Sequence, residues 1–560
     1  MKWVMPPPVE ENDVMRLALE LSISPVIGEI LLRRGITSPR TAEVFFDPRA
    51  QDLHSPFLLT DMDIAVSRIR EALIRGEKIL VHGDFDADGI TGTALLVKAL
   101  RGMGGDVLYY IPHRLEEGYG LSRKGIDYAV SNGCSLVVSV DCGVSSFEEV
   151  EYANSLGIDV IVTDHHESPP QLPPALAVVN PKRDTAYPFR DLAGCGVAFK
   201  LLSALTNSEK WIYWLLDLVA VGTVADVVPL CGENRALVKF GLYVLSKTKN
   251  VGLRALMDVA RFNKELPSAR DLAFIIAPRI NAMGRLESAD RVVELLITED
   301  VVYAKKIAQL LEDNNLFRQQ LDRRIQQEVE DVLPDELPPA IIMEKEGWHE
   351  GVVGIVASRL AYQLFRPVVL VALNGDKGKG SGRGIQGVDL YAVMNVCRDL
   401  LLSFGGHHQA CGFSIERDRI PEFKKRFLSV LQELYPVLPM EETLDIDAVV
   451  SPHKLEDRLL DELFLLSPFG FGNPEPVFAS LNVEVASVPQ IIKGKHIKFR
   501  LLCDGTSLDV VGFRLAKALS GKITVGDRVD IAYKIRRDTY AGGFYLSLVD
   551  LHRRTDVGEG

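Results

Sequence analysis

Cysteine is scarce in this sequence and carries no pattern. The 560 residues hold seven, at positions 134, 142, 195, 231, 397, 411 and 503, an odd number with no Cys-x-x-Cys spacing. That argues for free thiols in a reducing compartment and against structural zinc. Long apolar runs are also missing. No stretch reaches the ~18 uninterrupted apolar residues of a membrane span. The opening MKWVMPPPVEEN has no apolar run of signal-peptide length. The expectation is a cytoplasmic protein without a membrane partner. Low-complexity tracts and short-period repeats are absent. Positive charge is in deficit, and the net charge of −13 counts against a chain that coats nucleic acid. A global sum can still hide a local basic surface.

What is present is ordinary in amount. Apolar content of 47% and charged content of 25% are those of a globular protein. The length exceeds one core and predicts three or four domains. Residues 1–60 read as a helical leader. From about 61 to 235, strand-like runs (Lys78–Val81, Val107–Ile111, Ser135–Val140, Asp159–Val162, Ala175–Val179) alternate with helix-like runs (Ile90–Leu100, Ser122–Ser131, Phe147–Leu156). That alternation predicts an α/β domain with a mostly parallel sheet. Helical runs Val197–Leu205 and Trp211–Ala220 follow. The region 236–335 reads as a helical connector. After Ala289, residues Ile307, Leu311, Asn314, Phe317, Leu321 and Ile325 recur at helical spacing, and Pro334 closes the pattern. Residues 336–438 read as a second α/β lobe, with strands Ala340–Met343 and Val368–Ala372 and helices Val352–Phe365, Leu390–Leu401 and Pro421–Leu434. Residues 439–560 show short strands divided by Gly, Asp and Lys turns, the spacing of a small OB-like β-barrel.

The informative feature is where the acids fall. HGDFDADG follows the first strand of the first lobe, PHRLEEGYG the second, VDCG the third and TDHHES the fourth. In an open α/β sheet that rim is where ligands bind. The sheet should therefore gather His82, Asp84, Asp86, Asp88, Asp141, Asp164, His165 and His166 into one crevice. GTVADVVPL adds Asp226 at the end of an apolar helix. Carboxylates this close repel by ~4 kcal/mol per pair at an effective dielectric near 20, so the cluster needs a counter-charge. Carboxylates with imidazoles suit a pair of divalent ions, Mn2+ or Mg2+. One carboxylate can bridge two such ions held ~3.5–4 Å apart. A lone Asp-x-Asp after a strand is usually a turn or helix cap. A receiver domain also gathers acids at this rim, but it needs neither two adjacent histidines nor a further Asp226. Four clusters in order on one rim favour metal.

The set HGDFDADG, VDCG, TDHH and ADVVPL resembles the DHH phosphoesterase superfamily. The likeness continues through PRINAMGRLESA (Pro278–Ala289), GWHEGVVGIVASRLA (Gly347–Ala361), GSGRG (Gly380–Gly384), GGHHQACGF (Gly405–Phe413) and PFGFGNPEPVF (Pro468–Phe478). In this order they resemble the superfamily's single-strand-specific exonucleases from about 60 to 550. The resemblance makes 61–235 a DHH catalytic domain, 336–438 a DHHA1 domain and 439–560 an OB nucleic-acid-binding domain. It implies His82, Asp86 and Asp141 as ligands of one metal, and Asp88, Asp141, His165 and Asp226 as ligands of the other. It sets His166 facing the scissile phosphate and makes Asp84 and Asp164 orienting acids. Arg279, Asn281 and Arg285 fall beside the substrate, and Ser381, Arg383 and His407 face nucleic acid. Gly384 departs from the pattern, where serine is expected.

Elementary chemistry supports the second-lobe residues. Glycines such as Gly405 and Gly406 let backbone approach a phosphate. A helix opening after Gly351 offers free N–H groups to an anion, and Arg383 among glycines reads as an exposed fork. Each glycine-rich piece alone is more often a plain turn. The charge deficit reverses near the end of the chain. From Gln490 to Arg554 there are 13 Lys and Arg against 6 Asp and Glu. Lys493, Lys495, Lys498 and Arg500 fall on one strand and its turn, and Lys534, Arg536 and Arg537 on another, with Tyr533, Tyr540, Phe544 and Tyr545 interleaved. An OB domain with basic and aromatic residues reads as a single-strand binding surface.

The expected function is a metal-dependent exonuclease for single-stranded DNA, 5′ to 3′ by resemblance, in DNA repair and recombination. Water activated between the metals attacks in line. Arg114, Arg279, Ser381 and Arg383 are expected to hold the terminal 5′ phosphate. The expected partners are single-stranded DNA, a single-strand-binding protein and a helicase, with the enzyme a monomer. A phosphodiesterase for short oligonucleotides or cyclic dinucleotides, or a pyrophosphatase, is the rival enzyme, disfavoured because a small substrate needs no strand-binding domain. A metal-free DNA-binding scaffold is the rival from another class, disfavoured by the intact ligand set.

Overall fold

The computed structural model describes residues 1–114, 116–207, 209–438, 442–503, 505–538 and 542–554. Tyr540 lies outside the described residues. In the first lobe, five apolar strands are β1 (Lys78–Gly83), β2 (Asp106–Tyr110), β3 (Cys134–Val140), β4 (Asp159–Thr163) and β5 (Ala177–Val179). They lie in the order β2-β1-β3-β4-β5 with every pair parallel. Side chains alternate between two cores. Ile79 and Val81 join the helices α1 (Ala87–Gly102) and α2 (Gly194–Leu205) on one face, and Leu80 joins Ile126 and Val150 on the other. Both faces are covered, as a parallel sheet requires. The chain winds outward from β1 in both directions, so the switch point of the sheet lies at the carboxyl ends of β1 and β3.

The expected helix Trp211–Ala220 is displaced. A 3-10 turn spans Lys210–Leu215, and the α-helix α3 covers Leu216–Ala225, ending beside Asp226. Helix α4 (Ala277–Leu286) then leads to α5 (Val301–Glu330), a single helix of 30 residues, about 45 Å long at 1.5 Å per residue. Its first half buries Ala304, Ile307 and Leu311 in the first lobe, and its second half buries Ile325 and Val329 in the other. Phe317 departs from the periodic reading and is exposed. The middle turns of α5 lie between two cores, and the buried positions there are polar, Asn315 and Asp322.

The second lobe holds β6 (Ile341–Glu346), α6 (Glu350–Leu364), β7 (Val368–Asn374), β8 (Lys377–Arg383), β9 (Leu401–His407) and β10 (Ala410–Glu416). Strand order is β9-β10-β8-β7-β6, and only β6–β7 is parallel. This corrects the reading of GSGRG and GGHHQACGF as plain turns: Gly380–Arg383 is strand, and GGHHQACGF is β9 and β10 joined by a turn at His408–Gln409. The reason is visible at Gly380, which pairs with Phe413 across β8 and β10. A Cβ on Gly380 would sit 2.1 Å from the Phe413 ring, so glycine is what lets that ring lie over the sheet. The expected helix Leu390–Leu401 is also shortened to Leu390–Val396, with β9 starting at Leu401. Helix α6 begins at Glu350 rather than Val352, and the His349 ring caps it by accepting from Gly351 N at 3.1 Å.

The last sheet contains β11 (Phe478–Val485), β12 (His496–Cys503), β13 (Thr506–Gly512), β14 (Arg528–Arg537) and β15 (Phe544–Arg553). Pairing runs β11-β14-β15-β13-β12, and β12 pairs again with β11 at Glu484↔Leu502 and Val485↔Leu501. Tyr533 does not belong to the surface. It is fully buried, its hydroxyl 2.9 Å from Ser480 Oγ. The leader is not free-standing. Leu17, Ile27 and Leu31 pack in the same core as Phe478 and Val483, and Lys2–Val4 forms a parallel pair with Thr443–Asp445.

Candidate metal centre

Each acidic loop is held open by local bonding. Asp86 caps α1, accepting from Asp88 N at 2.9 Å and Gly89 N at 3.2 Å. Asp88 reaches across to the start of α2, where Gly194 N and Cys195 N donate to its two oxygens at 2.6 and 2.9 Å. Two carboxylates thus sit on helix N-termini, where backbone N–H groups and the helix dipole favour negative charge. Asp141 follows β3 with φ of 64°, an uncommon left-handed conformation for a residue other than glycine. Asp164 follows β4 and accepts from Val144 N, His165 N and His166 N at 2.9, 2.7 and 3.1 Å.

The side chains converge as the strand pattern requires. Three trios bring one donor atom each within 4.8 Å of the others: Asp84, Asp86 and Asp141; Asp88, His165 and Asp226; and Asp141, His165 and His166. Asp141 and His165 each occur in two trios. Four buried atoms here have no hydrogen-bond partner among the described residues: Asp84 Oδ1, Asp141 Oδ1, His82 Nδ1 and His165 Nε2. His165 Nε2 and Asp141 Oδ1 approach to 3.0 Å without hydrogen-bond alignment, so two acceptors converge on one space. Buried polar atoms normally find partners. A set of oxygen and imidazole acceptors with none fits a hard divalent cation.

Electrostatics agree. Burial pushes the proton affinities of Asp84, Asp86 and Asp141 up, and neighbouring aspartates push them further. Asp226 rises to about 8 for the same reasons. Burial lowers His82 to about 4 and lowers His165, which favours the neutral ring that can donate a lone pair. His166 differs. Burial alone would lower it, but the Asp164 carboxylate at 2.8 Å raises it. The Tyr119 hydroxyl also lies 2.8 Å from His166 Nδ1.

The geometry departs from the resemblance in two places. Asp84 stands among the converging oxygens rather than behind them. His82 is outside the three trios. Its Nε2 faces Ser122 N at 3.4 Å, and its buried Nδ1 is unpartnered. Sequence reading also missed the glycines that make room for the acids. A Cβ on Gly194 would lie 2.5 Å from Asp141, on Gly222 2.8 Å from Asp88 Oδ1, and on Gly89 2.7 Å from Asp84. The signal was there, as glycines inside helical runs at GCGVAFK, GTVADVV and DADGITG.

The arginines divide. Arg279 is engaged through all three nitrogens, donating to Glu312 from Nε and Nη2 and to Ile275 O at 2.6 Å from Nη1. It clamps α4 to α5 and does not join the expected end-phosphate group. Asn281 accepts from Ala87 N at 2.9 Å, holding the start of α1. Arg285 is half-buried with one bond, to Gly351 O at 3.2 Å. Its proton affinity falls to about 9, first through burial and then through Arg114, Arg318 and Arg383. Arg383 donates to Ser381 Oγ at 2.8 Å, and Arg114 lies over the Phe85 ring. Four guanidiniums therefore crowd one region; among the described residues Asp322 lies 3.9 Å from Arg318, and Asp86 is the acid that acts on Arg285. Arg318, from the middle of α5, was not foreseen. Next to Ser381 lies a bare backbone shelf. Gly412 pairs with Ser381 and Gly405, and a Cβ on Gly405 or Gly412 would meet nothing within 4 Å. Gly406 has φ of 145°, and His407, exposed, ends the strand. Lys498 and Arg500 in the last sheet are both paired with Asp509, at 2.8 and 2.9 Å. Lys495 has no ion pair among the described residues.

Comparison with known proteins gives this geometry relatives. Residues 78–223 match the DHH family, N-terminal domain, 337–433 the DHHA1 domain, and 446–549 the RecJ OB domain. The chain is 35% identical over 537 residues to the single-stranded-DNA-specific exonuclease RecJ of Bacillus subtilis, covering 95% of this chain and 68% of that one. It is 36% identical over 563 residues to RecJ of Escherichia coli, covering 95% and 96%. Among solved structures, RecJ of Thermus thermophilus in complex with Mn2+ superposes with a TM-score of 0.86 at 31% identity, covering 99% of this chain and 80% of that one. The Mg2+ complex of the same protein gives 0.80, with 100% and 79% coverage.

Proposed function

Because this chain belongs to the RecJ family of single-stranded-DNA-specific exonucleases, we propose that it removes nucleotides from the 5′ end of single-stranded DNA in repair and recombination. The observation that carries the reading is the set of unpartnered buried acceptors at the sheet rim, facing a group of arginines short of carboxylates. Divalent cations, Mn2+ or Mg2+, held by Asp84, Asp86, Asp88, Asp141, His165 and Asp226, with His82 Nδ1 available beside them, supply Lewis-acid activation of the phosphodiester and of the attacking water.

The remaining steps fall to the chain's own groups. Asp164 and Tyr119 fix the Nδ1 side of His166, leaving Nε2 to donate to a phosphate oxygen as charge develops. The Asp164 carboxylate raises the proton affinity of His166, which favours that donation. Arg114, Arg285 and Arg383, with Ser381, grip the terminal 5′ phosphate through charge-assisted bonds. The bare shelf at Gly405, Gly406 and His407 lets the strand backbone lie close. A passage between the lobes joined by α5 that admits one strand and not a duplex belongs to this proposal. Work in the cytoplasm as a monomer, fed by a helicase and a single-strand-binding protein, belongs to the same proposal. The relatives' named action on single-stranded DNA supports the substrate. Strands labelled at the 5′ or the 3′ end, incubated with Mn2+, Mg2+ or chelator, test it. Release from the 5′ end first, only with metal, is expected. Release from the 3′ end, or in chelator, refutes it.

A further inference from the structure

We propose that His496, Phe513 and Tyr545 form a base-stacking platform that carries the single strand over one particular face of the last sheet. The proposal rests on the exonuclease reading above and names where the strand runs beyond the metal cleft. Three separate pieces of chain build the platform: the first residue of β12, the loop after β13, and β15. Phe513 is 51% exposed, although it stands edge-on to both neighbours, 5.4 Å from the His496 ring and 6.5 Å from Tyr545 between centroids. The packing fixes the ring without covering it. His496 is itself oriented, since Arg514 N donates to its Nδ1 at 3.0 Å.

The charge around the platform fits a polyanion with aromatic bases. Lys495 and Arg514 flank it and make no ion pair among the described residues. The next stretch of the same outer face, Lys498 and Arg500, is largely neutralised because both share Asp509. Charge alone therefore does not draw a strand there. The platform is also joined to the catalytic cleft. Tyr545 pairs across the strands with Arg536, and Arg536 Nη2 donates to Glu475 at 2.7 Å. Glu475 lies in the Pro468–Phe478 segment, where Phe471 O accepts from Leu230 N at 2.7 Å. Leu230 stands four residues after Asp226. Every base has a π-face, so such a platform grips a strand without reading its sequence.

Strand affinity, measured by anisotropy in chelator so that nothing is cut, tests the proposal. The probes are a long thymidine strand and a strand of equal length whose 3′ portion is abasic. Phe513→Leu keeps the apolar bulk but removes the stacking face. It should weaken binding of the thymidine strand about tenfold, the order expected for one stacked base, while Phe513→Trp retains binding. The abasic strand should bind the unaltered protein and both variants alike. Three results would overturn the proposal: no loss in the leucine variant, equal loss on both strands, or a larger base-dependent loss from Lys498→Ala than from Phe513→Leu. Nucleotide release by the unaltered protein from a labelled strand checks the exonuclease reading separately.

Discussion

The two arginines beside the cleft show how far a side chain's bonding decides its role. Arg383 spends its bonds on Ser381 Oγ and its neighbour's carbonyl and keeps an unneutralised charge. Arg279 is saturated by Glu312 and Ile275. Arg383→Ala should therefore cost roughly 10–100-fold in rate on 5′-phosphorylated ends, the value of one charge-assisted contact, and much less on 5′-hydroxyl ends. Arg279→Ala should lose stability and reduce both rates equally. Rates on the two kinds of end, measured side by side, check this. A second residue, remote from the metals, offers a pH test. Asp217 is buried in α3, which pushes its proton affinity up to about 6, while Thr248 donates to it at 2.5 Å. The folded form holds this proton more tightly than the unfolded chain, whose value is near 3.9. The stabilisation is thus complete below that value and lost as pH rises through about 6. Relative to Asp217→Asn, the wild type should lose roughly 2–3 kcal/mol between pH 4 and pH 7. Parallel stability curves for the two proteins would contradict it.

At the scale of the element, the parallel strands of the first lobe were legible because their apolar runs are buried on both faces and end in acids. The rim geometry follows from that alone. The glycine-rich strands β8, β9 and β10 were not legible. Glycine ordinarily marks a turn, and what makes it strand here is a partner distant in sequence, the Phe413 ring over Gly380. The same limit applies to α5. Periodicity correctly places Ile307, Leu311 and Ile325 in cores, yet it extends the stripe through Phe317, where neither lobe reaches. The difference is measurable. Leu311→Ala should cost about 2–5 kcal/mol, as for a buried leucine, whereas Phe317→Ser should stay within about 0.5 kcal/mol. Equal destabilisation in chemical denaturation would place Phe317 in a core.

At the scale of the whole molecule, the bodies are tied by contacts that no local pattern announces. Arg235, buried in the first lobe, donates to Phe45 O of the leader and to the carbonyls of Leu465, Leu466, Ser467 and Pro468, and it stacks on Phe45 with its guanidinium carbon 3.6 Å from the ring centre. One side chain thereby binds the leader, the catalytic lobe and the approach to the last domain. It explains why PFGFGNP follows a fixed path although it holds no ligand. The leader's place in the core of the last domain was equally invisible, since its partners lie more than 400 positions away. Within this assembly the central claim is that the converging acids hold the cations that drive strand cleavage. Asp141, present in two of the three trios, is the sharpest probe. Mn2+ binding by calorimetry and nucleotide release should be measured on the same samples of the wild type and Asp141→Asn. The variant should bind fewer ions than the wild type, release almost no nucleotide and still bind single-stranded DNA. An Asp141→Asn protein with the wild-type ion complement and near-normal turnover would contradict the account.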